Sequence, residues 1–307
     1  MKNQNNDFFG LPDFRIRCSA IGQIMTEPSG KSPKEKLLDA INKLAEQEAK
    51  LFTIRPELKS YGQQQERIVK TKAEIEHLES IADIPHLGKT CISYLEKWVT
   101  ERIYERRVDI STKTMKKGLL VEDDAITYAC GWIPEMGLAN KNSQRFRNHF
   151  MEGEPDVIND EEDYVFDTKC SWDHTTFPLY YKEVPDKDYY WQLIGYMGLT
   201  GKRKARVVYV LMSMPEEMIQ KEARWRLGYE FSELEYAEFS AQFRYDDLPA
   251  HLRLKEFEVE WDEESYLAIT NRVLECRQYI NDVILPSIIE NLERYGDGQY
   301  VTEGAVR

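Results

Sequence analysis

Features that would mark a membrane or secreted protein are missing from this sequence of 307 residues. It has no apolar run long enough to cross a membrane, which takes about 18–20 residues. The segment 1–14 lacks the apolar core of a secretory signal peptide, and no G-x-x-x-x-G-K-[ST] motif is present. The sequence therefore predicts a cytoplasmic protein that has no membrane partner and no built-in ATPase motor.

Cysteine and histidine are scarce, with five residues of each. No two cysteines form a C-x-x-C pair, and an odd number without metal-ligand spacing favours reduced thiols in a reducing compartment. The histidines follow no metal-binding pattern. These absences argue against structural disulfides and against an iron–sulfur cluster.

The stretch that organises the rest of the chain runs from Glu152 to Tyr196. It contains the sequence Gly-Glu-Pro-Asp156, a gap of ten residues, and then Asp167-Thr168-Lys169. Residues 164–170, YVFDTKC, predict a β-strand, in which alternation places Asp167 and Lys169 on the same face about 6–7 Å apart. The polar residues 159–163 predict a hairpin turn. Two carboxylates and an ammonium group should therefore converge on one side of a small sheet.

This grouping suits metal-assisted hydrolysis. Two carboxylates and a backbone carbonyl can hold Mg²⁺, which prefers oxygen ligands and keeps several waters. A lysine beside the ion can orient and deprotonate the attacking water, while the ion neutralises charge that develops on a phosphodiester. The alternative is a surface acidic hairpin in which the D-T-K sequence is incidental, and the spacing P-D-x(10)-D-x-K does not by itself decide between the two.

The residues downstream and upstream add a family resemblance. With Gln192 and Tyr196, the pattern P-D…D-x-K…Q-x-x-x-Y resembles the PD-(D/E)XK nuclease superfamily, in the branch of phage lambda exonuclease, the YqaJ-type viral recombinases and RecB-like nucleases. The helix glutamate of that branch is matched by Glu122 after Gly118, and its first helix, which contains Arg and Ser, by residues 15–22. The resemblance covers roughly residues 13–26 and 113–212, but not residues 33–85 or the last ninety or so.

The resemblance implies a Mg²⁺-dependent exonuclease that hydrolyses phosphodiester bonds at double-stranded DNA ends in phage-type recombination, with Mn²⁺ as a substitute ion. The implied metal ligands are Glu122, Asp156, Asp167 and the carbonyl group of Thr168. Lys169 would position and activate the water, and Gln192 would complete the catalytic set. The implied DNA contacts come from Arg15, Arg17, Ser19 and Tyr196.

DNA is the expected partner, in the cytoplasm of a bacterial host if the chain is encoded by a phage or prophage. The family also implies a single-strand annealing protein as a partner and, because it includes ring-shaped trimers, a homo-oligomer. Two alternatives stay open: an endonuclease or nickase on the same core, and a non-catalytic DNA-binding or assembly protein. The complete set of acidic and lysine residues argues against the second alternative.

The net charge of −13 is unexpected for a DNA-binding protein, because binding to DNA depends largely on neutralised phosphates. Basic residues nevertheless cluster locally, at Lys113, Lys116 and Lys117, and again at Lys202, Arg203, Lys204 and Arg206. Such clusters predict a basic groove on an acidic body. An ordinary scatter of surface charge is the alternative.

The expected fold is α/β: a single nuclease domain over residues 1–307 with a restriction-endonuclease-like core, in which helices flank a central mixed sheet. Residues 33–85 predict a helical-hairpin insertion that begins at the capping sequence Ser32-Pro33-Lys34-Glu35. Residues 215–307 predict a mainly helical C-terminal extension. Ser19 is a predicted N-cap, and Gly118 is predicted to let the Glu122 helix approach the sheet closely.

Overall fold

A computed structural model describes residues 9–108, 111–137 and 141–295. The described residues contain no helix that is both long enough and apolar enough to span a bilayer. Contacts divide the chain into two compact units. The described part of the first unit comprises residues 9–14, 24–106 and 274–295, and that of the second comprises residues 15–23, 107–108, 111–137 and 141–273.

The secondary structure is mixed, as predicted. The helices are α1 (Ile21–Ile24), α2 (Pro33–Thr53), α3 (Lys59–Ile81), α4 (Lys89–Ile103), α5 (Lys113–Cys130), α6 (Lys187–Thr200), α7 (Glu216–Leu227), α8 (Glu233–Ala241), α9 (Glu263–Tyr279) and α10 (Leu285–Tyr295). The strands are β1 (Ile16–Arg17), β2 (Phe146–Arg147), β3 (Met151–Gly153), β4 (Val157–Asn159), β5 (Tyr164–Cys170), β6 (Lys204–Val210) and β7 (Leu254–Glu260).

The first unit contains the predicted helical hairpin. Helix α2 begins at the predicted capping box, in which the Ser32 hydroxyl accepts a hydrogen bond from the Glu35 amide and the Glu35 carboxylate accepts one from the Ser32 amide. Ion pairs join α2 to α3, including Lys43 with Glu74 at 3.0 Å. These two helices run antiparallel, because residues early in α2 lie beside residues late in α3.

The second unit contains two mixed sheets. One has three strands in the order β1-β3-β2, with β1 parallel to β3 and β2 antiparallel to it. The other has four strands in the order β4-β5-β6-β7, in which only the β5–β6 pair is parallel. A parallel pair needs a crossover connection, and α6 lies in the crossover between β5 and β6. This topology sets α6 beside the strand that carries Asp167 and Lys169.

The C-terminal region corrects one expectation. Helices α7, α8, α9 and α10 lie in the region that was predicted to be mainly helical, but β7 interrupts it. Phe257 and Val259 are buried while the glutamates between and around them are exposed, which is the alternation of an edge strand. The many acidic residues of this segment concealed that period of two. Residues 296–307 of the predicted extension, and residues 1–8 of the predicted domain, lie outside the described residues.

Two local predictions are wrong. Ser19 lies inside a 3₁₀ turn, Cys18–Ala20, whose N-cap is Arg17, so Ser19 caps no helix there. A methyl group added at Gly118 would meet nothing within 4 Å, so this glycine does not mark a close approach of α5 to the sheet. The residue beside it, Lys117, is the buried one, with no exposed surface.

The predicted basic clusters contribute less to the surface than their sequences suggested. Lys117 is buried, and the side chain of Arg206 is only 12% exposed. Arg206 is surrounded by three carboxylates, those of Glu135, Glu256 and Glu258, at 2.8–3.1 Å. Both clusters therefore contain cations that the fold uses internally, because a helix or strand turns neighbouring residues to different sides.

A close contact of three elements positions one side of the site. The Cys18 thiol is buried against Gly153 of β3 and Gly195 of α6. A methyl group at Gly195 would lie 2.5 Å from Ile21 Cδ1 and 3.0 Å from Cys18 Sγ. Both distances are shorter than van der Waals contact, so only glycine lets α6 pack this closely against the turn that follows β1.

Substituting alanine at two helical glycines should therefore have opposite effects. Gly195→Ala gains helix propensity but overpacks the core, which costs about 1–3 kcal/mol. Gly118→Ala adds a methyl group in open space and should stabilise by up to about 1 kcal/mol. Thermal unfolding checks this, since 1 kcal/mol moves the Tm by about 2–4 °C at this size. Equal Tm values for the two variants would contradict the close packing at Gly195.

Candidate active site

The hairpin of β4 and β5 brings the two predicted aspartates together. Val157 pairs with Phe166 in the antiparallel ladder, so Asp156 and Asp167 are the next residues at the open end of the hairpin. Asp156 Oδ2 accepts a hydrogen bond of 2.6 Å from the Thr168 amide. The Asp167 side chain is almost completely buried, at 3% exposure. The register of one short hairpin thus fixes both carboxylates.

The two oxygens of Asp167 have different surroundings. Oδ1 accepts a hydrogen bond of 2.9 Å from Gln192 Nε2. Oδ2 lies 2.6 Å from Lys169 Nζ as an ion pair, but within the described part of the chain no donor reaches it with hydrogen-bond geometry. A buried carboxylate oxygen with unused acceptor capacity is suited to a cation.

The backbone of Thr168 adds a third oxygen. Its amide points towards Asp156 and away from β6. The N–H and C=O groups of one strand residue point to the same side, so the Thr168 carbonyl faces the same side of β5 as β4. The β4–β5 ladder begins at Val157 and Phe166, so no β4 residue pairs with Thr168. Two carboxylates and this carbonyl form a set of hard oxygen donors of the kind that Mg²⁺ prefers.

The electrostatics of the cluster favour a bound cation. Burial and the neighbouring charge of Asp167 raise the pKa of Asp156 to about 8, although the Thr168 amide and Lys169 act against this. Burial lowers the pKa of Lys169, but Asp167 and Asp156 outweigh burial and the net direction is upward. Asp156 therefore tends to hold a proton in the free protein, and a bound cation would take the place of that proton.

Glu122 lies on α5, as predicted, but it is not assembled with the aspartates. Its carboxylate pairs with Lys141, which also lies 3.0 Å from Asp123 Oδ1. Within the described ranges, no three His, Cys, Asp or Glu side chains are close enough together to hold a metal ion. Glu122 is nevertheless near enough for its charge to raise the pKa of Asp156. To act as a metal ligand, directly or through water, the Glu122 carboxylate must break its ion pair with Lys141 or bind the metal with its other oxygen.

One face of α6 supports the cluster. The Gln192 amide donates to Asp167 and also to the Tyr196 hydroxyl, each at 2.9 Å. The Tyr196 hydroxyl donates in turn to the Glu154 carbonyl at 3.3 Å. Residues four apart lie on the same helix face, as expected. Gln192 and Tyr196 therefore connect the helix to both ends of the P-D…D-x-K sequence.

The predicted DNA contacts are only partly gathered. Arg15, Arg17 and Ser19 are exposed and alternate with buried neighbours. Arg17 and Ser19 line a cleft of about 170 Å³ beside Tyr196, whereas Arg15 does not line it. We call this the arginine cleft; its other lining residues are Arg145, Glu152, Gly153 and Glu154. Tyr196 is buried and its hydroxyl is used internally, so only its side faces the cleft.

Sequence reasoning missed three residues of this region. Tyr189 lies on the same face of α6 as Gln192, and its ring centre lies 4.9 Å from Lys169 Nζ. Its position three residues before Gln192 was the signal that could have identified it. Arg145 and Lys141 belong to no motif, and only the fold brings them to the arginine cleft and to Glu122.

Comparison with known proteins defines the class of fold. The sequence matches no protein-family model, and a search among curated proteins finds no match. Solved structures match by fold, and those described below are exonucleases. The predicted resemblance to the phage-exonuclease branch is thereby confirmed at the level of the fold.

The particular similarity is to a phage-related exonuclease from Haemophilus somnus 129PT. Its crystal structure aligns with a TM-score of 0.63 over 91% of this chain and 99% of its own, at 20% sequence identity. The alkaline exonuclease LHK-Exo from Laribacter hongkongensis aligns with a TM-score of 0.45 over 70% of this chain and 89% of its own, at 16% identity.

The contact between Tyr189 and Lys169 makes a prediction about amine reactivity. A cation–π contact worth about 0.5–1 kcal/mol stabilises the protonated amine, so its loss should raise the free-amine fraction about two- to five-fold. Tyr189→Leu should therefore accelerate labelling of Lys169 by an amine reagent, measured by mass spectrometry. Tyr189→Phe keeps the ring and serves as the matched control, which should label like the wild type. Equal rates in the Leu and Phe variants would show that the ring does not hold the ammonium.

Proposed function

We propose that this chain is a metal-dependent deoxyribonuclease that acts as an exonuclease on double-stranded DNA ends. The observation that carries the proposal is the cluster of Asp156, Asp167 and Lys169, braced by Gln192. The cluster lies in a fold shared with a phage-related exonuclease. Phosphodiester hydrolysis needs a charge-neutralising cation and an activated water, and these side chains can provide for both.

Mg²⁺ is the proposed cofactor, and Mn²⁺ is a substitute. The donor set fits a hard cation, because Asp156, the Oδ2 of Asp167, which is paired with Lys169, and the Thr168 carbonyl are all oxygen ligands. Glu122 is the proposed fourth ligand, direct or through water. When bound, the ion supplies charge neutralisation at the phosphate and lowers the pKa of a coordinated water.

Lys169 is the proposed group that activates the water. Asp167 and Asp156 hold its pKa up, so neutralising their charge makes the proton easier to release. The free amine then orients a water and accepts its proton. Gln192 keeps the Asp167 carboxylate in one rotamer, and Tyr196 in turn holds the Gln192 amide.

The proposed contacts with DNA are electrostatic and local. Arg17 and Ser19 line the arginine cleft next to the catalytic cluster, where they can receive backbone phosphate. Arg15 is exposed nearby in sequence, and Tyr196 forms a wall of the same cleft. The glutamates of the cleft, Glu152 and Glu154, limit how much negative charge it can accept.

The fold shared with the phage-related exonuclease favours cleavage at DNA ends over cleavage within a DNA strand. Phage-type recombination, a single-strand annealing partner, a homo-oligomer and a place in the bacterial host cytoplasm belong to the same proposal and derive from the sequence resemblance. An endonuclease or nickase would use the same catalytic residues, and only the DNA substrate distinguishes the two.

A time course on end-labelled linear duplex with Mg²⁺ tests the proposal. The wild type should digest linear DNA and leave covalently closed circles intact. Lys169→Met should reduce the rate by about 10²–10⁴-fold, because it removes the general base, and Asp167→Asn should do so to a similar extent. Asp160→Asn, which changes an exposed carboxylate of the same hairpin, is the matched control and should cleave normally.

Other outcomes of this experiment are equally informative. Cleavage of closed circles would favour the endonuclease or nickase. A wild type that cleaves no DNA with either Mg²⁺ or Mn²⁺ would refute the nuclease proposal. Full activity in folded Lys169→Met or Asp167→Asn would show that the catalytic cluster is misassigned.

Glu122→Gln should raise the Mg²⁺ concentration needed for half-maximal activity, because it removes a charged ligand from an ion that tolerates little irregularity. Mn²⁺ should partly restore the activity. The matched control is Asp123→Asn, which removes a charge from the same turn of α5 and from the same lysine. A metal-bound structure with the Glu122 carboxylate more than about 6 Å from every ion, beyond a water-bridged contact, would exclude it as a ligand.

A further inference from the structure

Lys117 is an unusual residue for the interior of a protein. It lies on α5 and has no exposed surface. Its ammonium group donates hydrogen bonds of 2.8 Å to the carbonyl oxygens of Ser171 and Trp172. Burying a charge is costly unless it gains directed partners, and here the acceptors are two backbone carbonyls rather than a carboxylate.

At this position the two hydrogen bonds of Lys117 matter more for holding the structure than its positive charge does. Burial lowers the pKa of Lys117 to about 8, against the opposing effects of Cys170 and Asp173. The neutral amine still has two N–H donors, so both hydrogen bonds persist when the proton is lost. Lys117 is therefore suited to holding two segments of the chain together.

The two segments are those that carry the proposed metal ligands. Ser171 and Trp172 follow β5 directly, and β5 carries Asp167. On α5, Glu122 follows Lys117 after about 7.5 Å of helix. Further along α5, the side chain of Ala125 and its apolar neighbours pack on the sheet. Apolar packing is non-directional, and the two hydrogen bonds of Lys117 add a directed constraint on the position of α5 along the strand.

We propose that Lys117 is a positioning residue, which fixes α5 along β5 and so sets where the Glu122 carboxylate stands relative to Asp156 and Asp167. This inference rests on the proposed function, because it takes Glu122 as a metal ligand. The residue that bonds α5 to the end of β5 is thus Lys117, and not the neighbouring Gly118, which faces open space.

A purely structural role is the alternative, in which Lys117 only satisfies two buried carbonyls. A double-mutant cycle between Lys117→Met and Glu122→Gln separates the two roles. Methionine keeps an unbranched apolar stem of four atoms but lacks the terminal amine, so both hydrogen bonds are removed. Mn²⁺ binding to the full chain without DNA, measured by electron paramagnetic resonance, is the main readout, with kcat and KM for linear duplex as the second. Lys70→Met, at an exposed site on α3, is the control.

Lys117→Met should weaken Mn²⁺ binding about 10-fold, the usual effect of removing a group that orients a ligand. It should lower kcat by a similar factor and leave KM for DNA nearly unchanged. In the Glu122→Gln background the same substitution should have no further effect on Mn²⁺ binding, because the ligand that it positions is gone. Lys70→Met should match the wild type in both readouts.

Wild-type Mn²⁺ affinity in folded Lys117→Met would overturn the inference, as would a full additional loss in the Glu122→Gln background. If Lys117→Met does not fold, Lys117→Gln, which keeps N–H donors on a shorter side chain, carries the same cycle with the same criteria. The wild type could bind Mn²⁺ and cleave no DNA, while the effects of Lys117→Met and Glu122→Gln on Mn²⁺ binding are non-additive as described. That result would refute the nuclease proposal and leave the positioning role of Lys117 intact.

Discussion

The buried charge of Asp167 is the constraint on which the rest of the site depends. A carboxylate inside a sheet is tolerated only if its charge is paired and its oxygens are bonded. Lys169 provides the pairing from two residues along the strand, and Gln192 provides a hydrogen bond from α6. Asp156, brought close by the hairpin, has no ion pair of its own among the described residues, and burial together with the charge of Asp167 raises its pKa to about 8, so that it tends to hold a proton. A bound cation would take the place of that proton.

The need to hold Asp167 explains the close packing around α6. Gln192 can reach Asp167 only if the helix lies near β5, and the parallel β5–β6 pair requires a crossover at that place. Gly195 and Gly153, both in contact with Cys18, allow the helix to lie close to the turn after β1 and to β3. A change of packing at Cys18 would therefore reach the carboxylate through the hydrogen bonds of Gln192 and Tyr196, because linked polar groups in a buried site act together.

At a net charge of −13, the proposed affinity for DNA depends on the few cations near the site rather than on the basic clusters seen in the sequence. Several cations that cluster in the sequence are used inside the fold: Lys117 bonds to carbonyl groups, and Arg206 is held by three glutamates. Those that remain near the site, such as Arg17 and Arg145, act over short distances. Screening at physiological salt limits the reach of exposed charge to about 8 Å, so the local potential at the cleft matters more than the total.

Elements whose signals are local could be predicted from the sequence. The capping box of α2, the strand 164–170, the hairpin turn and the helix that carries Gln192 and Tyr196 were all predictable, because they depend on neighbouring residues and on fixed periods. The sequence also indicated which carboxylates share a strand face with Lys169. It did not reveal β7, whose alternation was hidden among glutamates.

Which of the remaining polar residues meet depends on long-range packing. The pairing of Glu122 with Lys141, the ring of Tyr189 over Lys169, and the burial of Lys117 beneath the end of β5 all join residues on separate elements. Such contacts depend on how helices and strands pack, which no local pattern encodes. The sequence named the groups that the chemistry needs, and long-range packing determined their distances and the groups that hold them in place.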